Sequence, residues 1–151
     1  MYKRQLGYVV GAVIAGVKSQ GHRLKVVAGD EVLADGHRRV LQVGVSNGAC
    51  VGGGTELSPD ADPTDGQVDV LVSFGVAAKD RLLYGIRLKR GTHEERHDVR
   101  QARATTVEIS GEEFWCNADG ELVGPVRSRS WELHPGAVTM LLPTQEQEVE
   151  A

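Results

Sequence analysis

The sequence is 151 residues long, 40% hydrophobic and 25% charged, which suffices for one soluble globular domain with a buried core. A formal net charge of -4 excludes a chain built mainly to hold nucleic acid, since that binding runs on clustered Lys and Arg facing phosphates. Aromatic residues make up only 5%, so the core falls to Val, Leu, Ile and Ala, and the abundance of valine favours strands.

The apolar stretch over 6–17 is too short to span a bilayer and has no small-residue cleavage site behind it, so a cytoplasmic protein is expected. Within it, Leu6, Val9, Val10, Val13, Ile14 and Val17 keep helical spacing and predict a helix over about 2–19, with Gly21 as its stop. Segments 24–28, 31–34 and 39–45 read as short strands divided at Gly29-Asp30 and Asp35-Gly36. An Asp-Gly pair between apolar runs predicts a hairpin turn at 35–36. Segment 68–74 is apolar at nearly every position, the pattern of a strand buried on both faces.

Helical spacing returns over 77–90, with Leu82, Leu83 and Ile86 expected to point inward and Gly91 to end the helix. Strands follow at 98–110, 112–116, 121–123, 126–133 and 137–142, with a turn at 117–120 and Pro143 closing the series. The acidic tail over 144–151 is expected to be disordered, which leaves one domain over 1–143. The fold class predicted is mainly β: an antiparallel β-sandwich-like domain with two covering helices. Cys50 and Cys116 form no CxxC and read as reduced, packed thiols. Gly52-Gly53-Gly54 is followed by Thr55-Glu56-Leu57-Ser58-Pro59 with no Lys, which excludes a Walker-type phosphate loop.

Several segments in order resemble one family. They are Val43-Gly44-Val45-Ser46-Asn47-Gly48 with Gly52-Gly53-Gly54, the run Ser58-Pro59 through Asp65-Gly66 to Val70, and Gly91-Thr92-His93. Asp119-Gly120-Glu121 and the ending His134-Pro135-Gly136-Ala137 to Leu142-Pro143 continue the series, and Tyr2-Lys3-Arg4-Gln5-Leu6-Gly7-Tyr8 opens it. Each is weak alone, but order and spacing over nearly the whole chain resemble the carboxy-terminal half of the diacylglycerol kinase, sphingosine kinase and bacterial lipid kinase superfamily. The family's amino-terminal ATP-binding domain, with its "GGDGT" loop, has no counterpart in this sequence.

The resemblance implies that Glu121 takes the proton from a lipid hydroxyl attacking the ATP γ-phosphate, with Asp119 in an orienting role. It implies that the Asp65 carboxylate and the backbone carbonyls of Val68 and Val70 hold a structural Mg2+. ATP is then a co-substrate held by the absent domain, and the isolated chain is expected to be inactive. Without the resemblance, Glu121 reads as a solvated carboxylate leaving a turn, and Asp119 and Asp65 as ordinary Asp-Gly turn residues. His93 and His97 read as surface groups, not a metal pair. Lys89, Arg90, Arg96, Arg100 and Arg103, interleaved with Glu94, Glu95 and Asp98, read as a solvated face and not a lipid-headgroup site.

The implied partners are a lipid alcohol and the amino-terminal ATP-binding domain; a peripheral membrane surface at the inner face and a homodimer are left open by the sequence, and nucleic acid is not among the partners. Two rival readings stand beside the kinase: a free-standing module that binds lipid or protein without chemistry, and a fragment related to NAD kinases.

Overall fold

The computed structural model describes residues 20–51, 55–89, 93 and 95–139. The helix expected over 2–19, the triple glycine at 52–54, Thr92 and the tail over 144–151 lie outside the described residues. In chain order the elements are β1 (His22–Ala28), β2 (Glu31–Val40), β3 (Gln42–Ser46), β4 (Cys50–Val51), β5 (Thr55–Glu56) and β6 (Val68–Ser73). They continue with α1 (Ala78–Lys89), β7 (Val99–Ala104), β8 (Thr106–Ala118) and β9 (Glu121–Glu132). Every strand pairing among the described residues is antiparallel. One sheet runs β2-β1-β8-β9, a second β3-β6-β7, and β4 pairs with β5.

Alternation along the strands decides what each sheet buries. Leu24, Val26 and Ala28 of β1, Leu33 and Val40 of β2, and Val107, Ile109 and Phe114 of β8 form one core with Val68, Val70 and Val72 of β6. Strand β6 is buried on both faces, as its composition predicted, with Leu71 and Ser73 as inaccessible as Val70 and Val72. The second face is closed by the loop before β6. Gly44 pairs directly with Leu71, and a Cβ on Gly44 would lie 2.9 Å from Leu57 Cδ2, so Leu57 packs onto that same face.

Several boundaries differ from the sequence expectation. The first hairpin turns at Gly29-Asp30, whereas Asp35-Gly36 lies inside β2. Arg23 pairs with Arg39 and Lys25 with Asp35, so Gly36, His37 and Arg38 face Leu24 alone. Gly36 takes φ +85° and the His37 amide donates to Asp35 Oδ1 at 3.0 Å. The Asp-Gly pair therefore makes a bulge, for which its backbone freedom suits it as well as for a turn.

The expected strand over 39–45 breaks at Leu41, whose amide donates to the Ser73 carbonyl at 2.7 Å. The expected strand over 98–110 breaks at Thr105, because β7 joins β6 while β8 crosses to β1. The three short strands expected from 112 to 133 are parts of one long β8–β9 hairpin with two register shifts. Residues 137–139 are not strand.

Helix α1 forms as expected but is rotated. Leu82, Leu83 and Ile86 are 66%, 48% and 43% exposed, and Tyr84 is the buried residue. The reason lies after the helix. His93 is wholly buried, not a surface group, and meets the Tyr84 ring edge-on at 5.7 Å. Its Nε2 lies 2.9 Å from the Leu57 carbonyl oxygen, which can only accept, so Nε2 carries the proton. His97 is exposed. Arg96 is buried too, and donates to both oxygens of Asp98 at 2.6 and 2.7 Å, with Asp80 of α1 at 3.9 Å. Neither described cysteine is bridged; Cys116 is half-buried but Cys50 is exposed, against the expectation of a packed thiol. Among the described residues no helix is long and apolar enough to cross a membrane.

The Arg96–Asp98 pair fixes the junction of α1 and β7, since the Phe74 amide also donates to the Asp98 carbonyl at 2.8 Å. The hydrogen bonds from Arg96 hold the Asp98 carboxyl below its usual range against the opposing effect of burial. Its contribution is therefore present above the ordinary carboxylate value of 3.8 and is lost as pH falls through the lowered value. Asp98→Asn leaves the buried Arg96 guanidinium to the more distant Asp80 carboxylate, at 3.9 Å, and should cost about 3 kcal/mol in urea unfolding near neutral pH, the low end for a broken buried pair. The same variant should lose part of the stability decline that the unmutated chain shows in acid.

Candidate functional site

Two groups of residues carry the chemistry that the sequence singles out, and the long β9 strand separates them. The first is the tip of the β8–β9 hairpin. Ala118 pairs with Glu121, leaving Asp119 and Gly120 as a two-residue turn with φ of +49° and +94°. Positive φ at both positions is the type I′ geometry that suits the right-handed twist of paired strands, and glycine supplies it at no steric cost. The Gly120 amide donates to Asn117 Oδ1 at 2.9 Å, so the side chain that braces the turn is Asn117.

Glu121 is exposed and opens β9. Cross-strand register places it on the same face as Ala118, the Cys116–Val123 pair and the Phe114–Val126 pair. Phe114 is buried in the core. Glu121 thus sits at the open end of the core-side face, a carboxylate on a short braced turn beyond the last apolar rung. The opposite face of the tip carries Trp115 and Leu122, 57% and 68% exposed.

The second group lies around the loop before β6. Asp65 Oδ1 accepts from the Gln67 amide at 2.8 Å, and Asp65 Oδ2 accepts from Arg103 Nη2. Arg103 sits directly opposite Asp69 in the β6–β7 ladder, with Nε 3.5 Å from Asp69 Oδ1. Burial pushes the Asp69 carboxyl up, Arg103 opposes this, and the charges of Asp65 and Asp60 add to the rise. The Thr64 hydroxyl and amide hold the Asp62 carboxyl below its usual range. A cavity of about 300 Å³ opens beside these groups, lined by Ser58, Asp60, Asp69 and Arg103 among others.

The donor chemistry here fits a hard cation. Among the described residues Asp69 Oδ2 is buried with no hydrogen-bond partner, while the Arg103 guanidinium lies 3.5 Å from Asp69 Oδ1 and also bonds Asp65. Among the described residues no three carboxylate, imidazole or thiol side chains converge on a point. A cation would therefore rest on one or two carboxylates with backbone carbonyls and water, the pattern Mg2+ accepts. Val68 and Val70, the implied carbonyl donors, pair with Ala104 and Ala102, and Val70 also with Val45. Arg103 competes for the Asp65 carboxylate.

Some motif segments do come together. A Cβ on Gly66 would touch the Pro135 ring at 3.7 Å, so the Asp65-Gly66 and His134-Pro135-Gly136 segments adjoin. Leu57, Gly44 and His93 form a second meeting point. Glu121 joins neither. It begins β9 while His134 follows its end, and twelve residues of strand span about 40 Å. Neither Asp69 nor Arg103 stands out as a site residue in the sequence. Asp69 stands four residues after Asp65, but its partner is 34 positions on, and only the strand register discloses the pairing.

Residues 1–142 match the family described as the YegS C-terminal NAD kinase beta sandwich-like domain. A Stenotrophomonas maltophilia (strain K279a) protein described as "Probable lipid kinase YegS-like" is 35% identical over 107 residues, 68% of this chain and 34% of that protein. In structure, the chain is similar to "a putative diacylglycerol kinase from Bacillus anthracis str. Sterne", with a TM-score of 0.64 and 20% identity over 86% of this chain and 44% of that one. A further diacylglycerol kinase crystal structure from the same organism gives a TM-score of 0.60 and 21% identity over 86% and 43%. At such identity the structural likeness establishes the fold, and the chain spans about a third of the length of the curated relative it matches. The core, the two-sheet order and the match over nearly the whole length agree: this chain belongs to the YegS C-terminal NAD kinase beta sandwich-like domain family.

Proposed function

We propose that this domain forms the acceptor side of a lipid kinase, in which a lipid hydroxyl attacks the γ-phosphorus of ATP. The observation that carries this reading is Glu121, an exposed carboxylate held by a braced type I′ turn at the open end of the core-side face. In the step proposed, the alcohol proton passes to the Glu121 carboxylate and the alkoxide oxygen bonds to the γ-phosphorus. The bond from the γ-phosphorus to the bridging oxygen breaks, and ADP leaves with that electron pair. Phosphoryl transfer asks mainly for positioning and charge stabilisation, so one well-placed proton acceptor is a sufficient contribution from this side.

ATP is held in this proposal by residues outside the chain. Asp119 supports the turn and touches no reacting atom. The Asp65 carboxylate with the Val68 and Val70 carbonyls, and Asp69 beside them, would hold a Mg2+ ion whose chemistry is structural: it neutralises the aspartate-rich loop. The name of the Stenotrophomonas maltophilia relative supports the lipid kinase reading.

The test joins this chain to the amino-terminal portion of that relative and follows ATP-dependent phosphorylation of diacylglycerol. Glu121→Gln keeps the size and most of the hydrogen bonding but removes the proton acceptor. kcat should fall by roughly 10²–10⁴, about 3–5 kcal/mol in barrier. KM for ATP should hardly change. Asp119→Asn should cost much less. Retention of more than about a tenth of the activity by Glu121→Gln, well short of a base's usual share, would return Glu121 to a solvated turn residue.

The metal proposal is tested on the chain alone. Mg2+ or Ca2+ binding only the native state adds RT ln(1 + [L]/Kd), about 2.7 kcal/mol at a hundredfold excess over Kd. Thermal melts with and without millimolar divalent cation should differ for the unmutated chain and converge for Asp65→Ala. Indifference of the unmutated chain would sink the assignment of Asp65, Val68 and Val70.

A further inference from the structure

We infer that the Arg103 guanidinium is a built-in counter-cation of the aspartate loop, which ties Asp65 to Asp69 and which a divalent cation must displace from Asp65 in order to bind. The inference rests on the Mg2+ reading of Asp65, Val68 and Val70, and adds to it the residue that sets how tightly the ion is held.

Asp60, Asp62, Asp65 and Asp69 crowd one short stretch of sequence, and Arg103 answers several of them from β7. Its Nη2 donates to Asp65 Oδ2, its Nε lies 3.5 Å from Asp69 Oδ1, and its charge also favours the ionised form of Asp62. Strand register fixes the base of this arm, since Arg103 lies directly opposite Asp69 in the ladder. The fork itself is less confined: the Arg103 side chain is 45% exposed, against 22% for Asp65 and 18% for Asp69. Ion pairs of a half-exposed side chain are screened by water and contribute little, so the guanidinium can leave without unfolding the sheet.

Two observations make Arg103 a competitor of the ion and not its replacement. Both oxygens of Asp65 are engaged: Oδ1 accepts from the Gln67 amide at 2.8 Å and Oδ2 accepts from Arg103. Each oxygen has a second lone pair, but an ion seated there would lie beside the guanidinium, and like charges a few ångströms apart repel. The Gln67 amide is fixed by the turn, so the guanidinium is the partner that yields. Arg103 nevertheless leaves the cluster incompletely bonded. Among the described residues, Asp69 Oδ2 and Ser46 Oγ are buried without a hydrogen-bond partner, and Ser46 pairs directly with Asp69. Ser46, Asp69 and Arg103 thus form a row across one face of the three-stranded sheet. The fork is spent on Asp65 and on Asp69 Oδ1 and reaches neither orphaned oxygen, whereas a divalent ion brings waters that can answer both. The cavity of about 300 Å³ beside Asp60, Asp69 and Arg103 gives a hydrated ion room.

The experiment is isothermal titration of MgCl2 and of CaCl2 into the full chain and into Arg103→Gln, with thermal melts of both. Arg103→Gln should bind each cation about tenfold more tightly, the effect of removing a unit positive charge near a divalent ion in a largely solvated setting. Without added cation the variant should melt about 2–4 °C lower, because its carboxylates repel, and millimolar cation should erase the difference. Asp65→Ala added to Arg103→Gln should remove the gain in affinity. A purely structural Arg103 would lower the melting temperature with no gain in affinity and no rescue by cation, and that result overturns the inference. If neither the unmutated chain nor Arg103→Gln binds either cation, the Mg2+ reading fails and the inference falls with it. If the unmutated chain binds and the variant binds no more tightly, the Mg2+ reading stands and the inference alone is overturned. Binding by Arg103→Gln alone would be the extreme form of the expected result. Should Arg103→Gln fail to fold even with cation, Arg103→Lys decides, since a point charge cannot bond both carboxylates as the fork does. It should bind more tightly than the unmutated chain, and equal affinity overturns the inference.

Discussion

Val70 and Val72 lose contact with water on one side of β6 while Leu71 and Ser73 lose it on the other, and this forces a cover onto each face of the three-stranded sheet. One cover is the four-stranded sheet, whose inward residues Leu24, Val26, Val107 and Ile109 complete the core. The other is smaller and built from the chain around it. Leu57 fills the space that Gly44 leaves vacant, the Leu57 carbonyl accepts from His93, and His93 carries Tyr84 of α1. Burying a side chain such as Leu71 contributes about 1.5–3 kcal/mol, so the segment that brings Leu57 into place is held by the apolar face it closes. That segment continues into the aspartate loop, and the loop's position follows from the same packing.

Polar groups at the margins of this core are matched more tightly than the surface would require. Arg96 and Asp98 are both buried and paired in a bidentate geometry, and Gly75 leaves the room they need, since a Cβ there would lie 2.7 Å from Asp98 Oδ2. A buried ion pair is a poor source of net stability compared with apolar packing, but it is costly to break. Its effect is to fix where α1 ends and β7 begins. Asp69 shows the opposite balance. Its partner Arg103 is partly exposed and one of its oxygens is orphaned, so burial outweighs the ion pair and its carboxyl is pushed up.

Sequence patterns disclosed what depends on local periodicity and hid what depends on register. The strand over 68–74 and the turn over 117–120 could be read because composition and an Asp-Gly signal agreed with the tertiary context. Asp35-Gly36 carries the same signal and became a bulge, since β1 was already paired on both sides and the chain had to stay in register with Arg23 and Lys25. The apolar stripe Leu82, Leu83 and Ile86 misled for a related reason. Helical spacing identifies an apolar face but not its cover, and Tyr84 with buried His93 provided the stronger anchor. Of the candidate site, Glu121, Asp119 and Asp65 were legible only through a family resemblance. Arg103 is exposed, as expected of that face, but its pairing is hidden from the sequence, because Asp69 lies in a strand 34 residues earlier and Asp65 in the loop before that strand.

The placement of Glu121 bears on how such a carboxylate could act as a base. An exposed carboxylate is a weak proton acceptor toward an alcohol, because water stabilises its charge. Desolvation makes it more basic, and a closing cleft supplies that without any change in the carboxylate itself. The hairpin tip is suited to this: its turn is fixed by Asp119, Gly120 and the Asn117 brace, so little positional freedom remains to be lost when the site closes. Trp115 and Leu122 crowd the far face of the same tip with apolar surface, which would help to exclude water once covered. On the reading proposed above, the domain would contribute geometry in advance, and the lipid hydroxyl and the nucleotide would reach Glu121 from outside it.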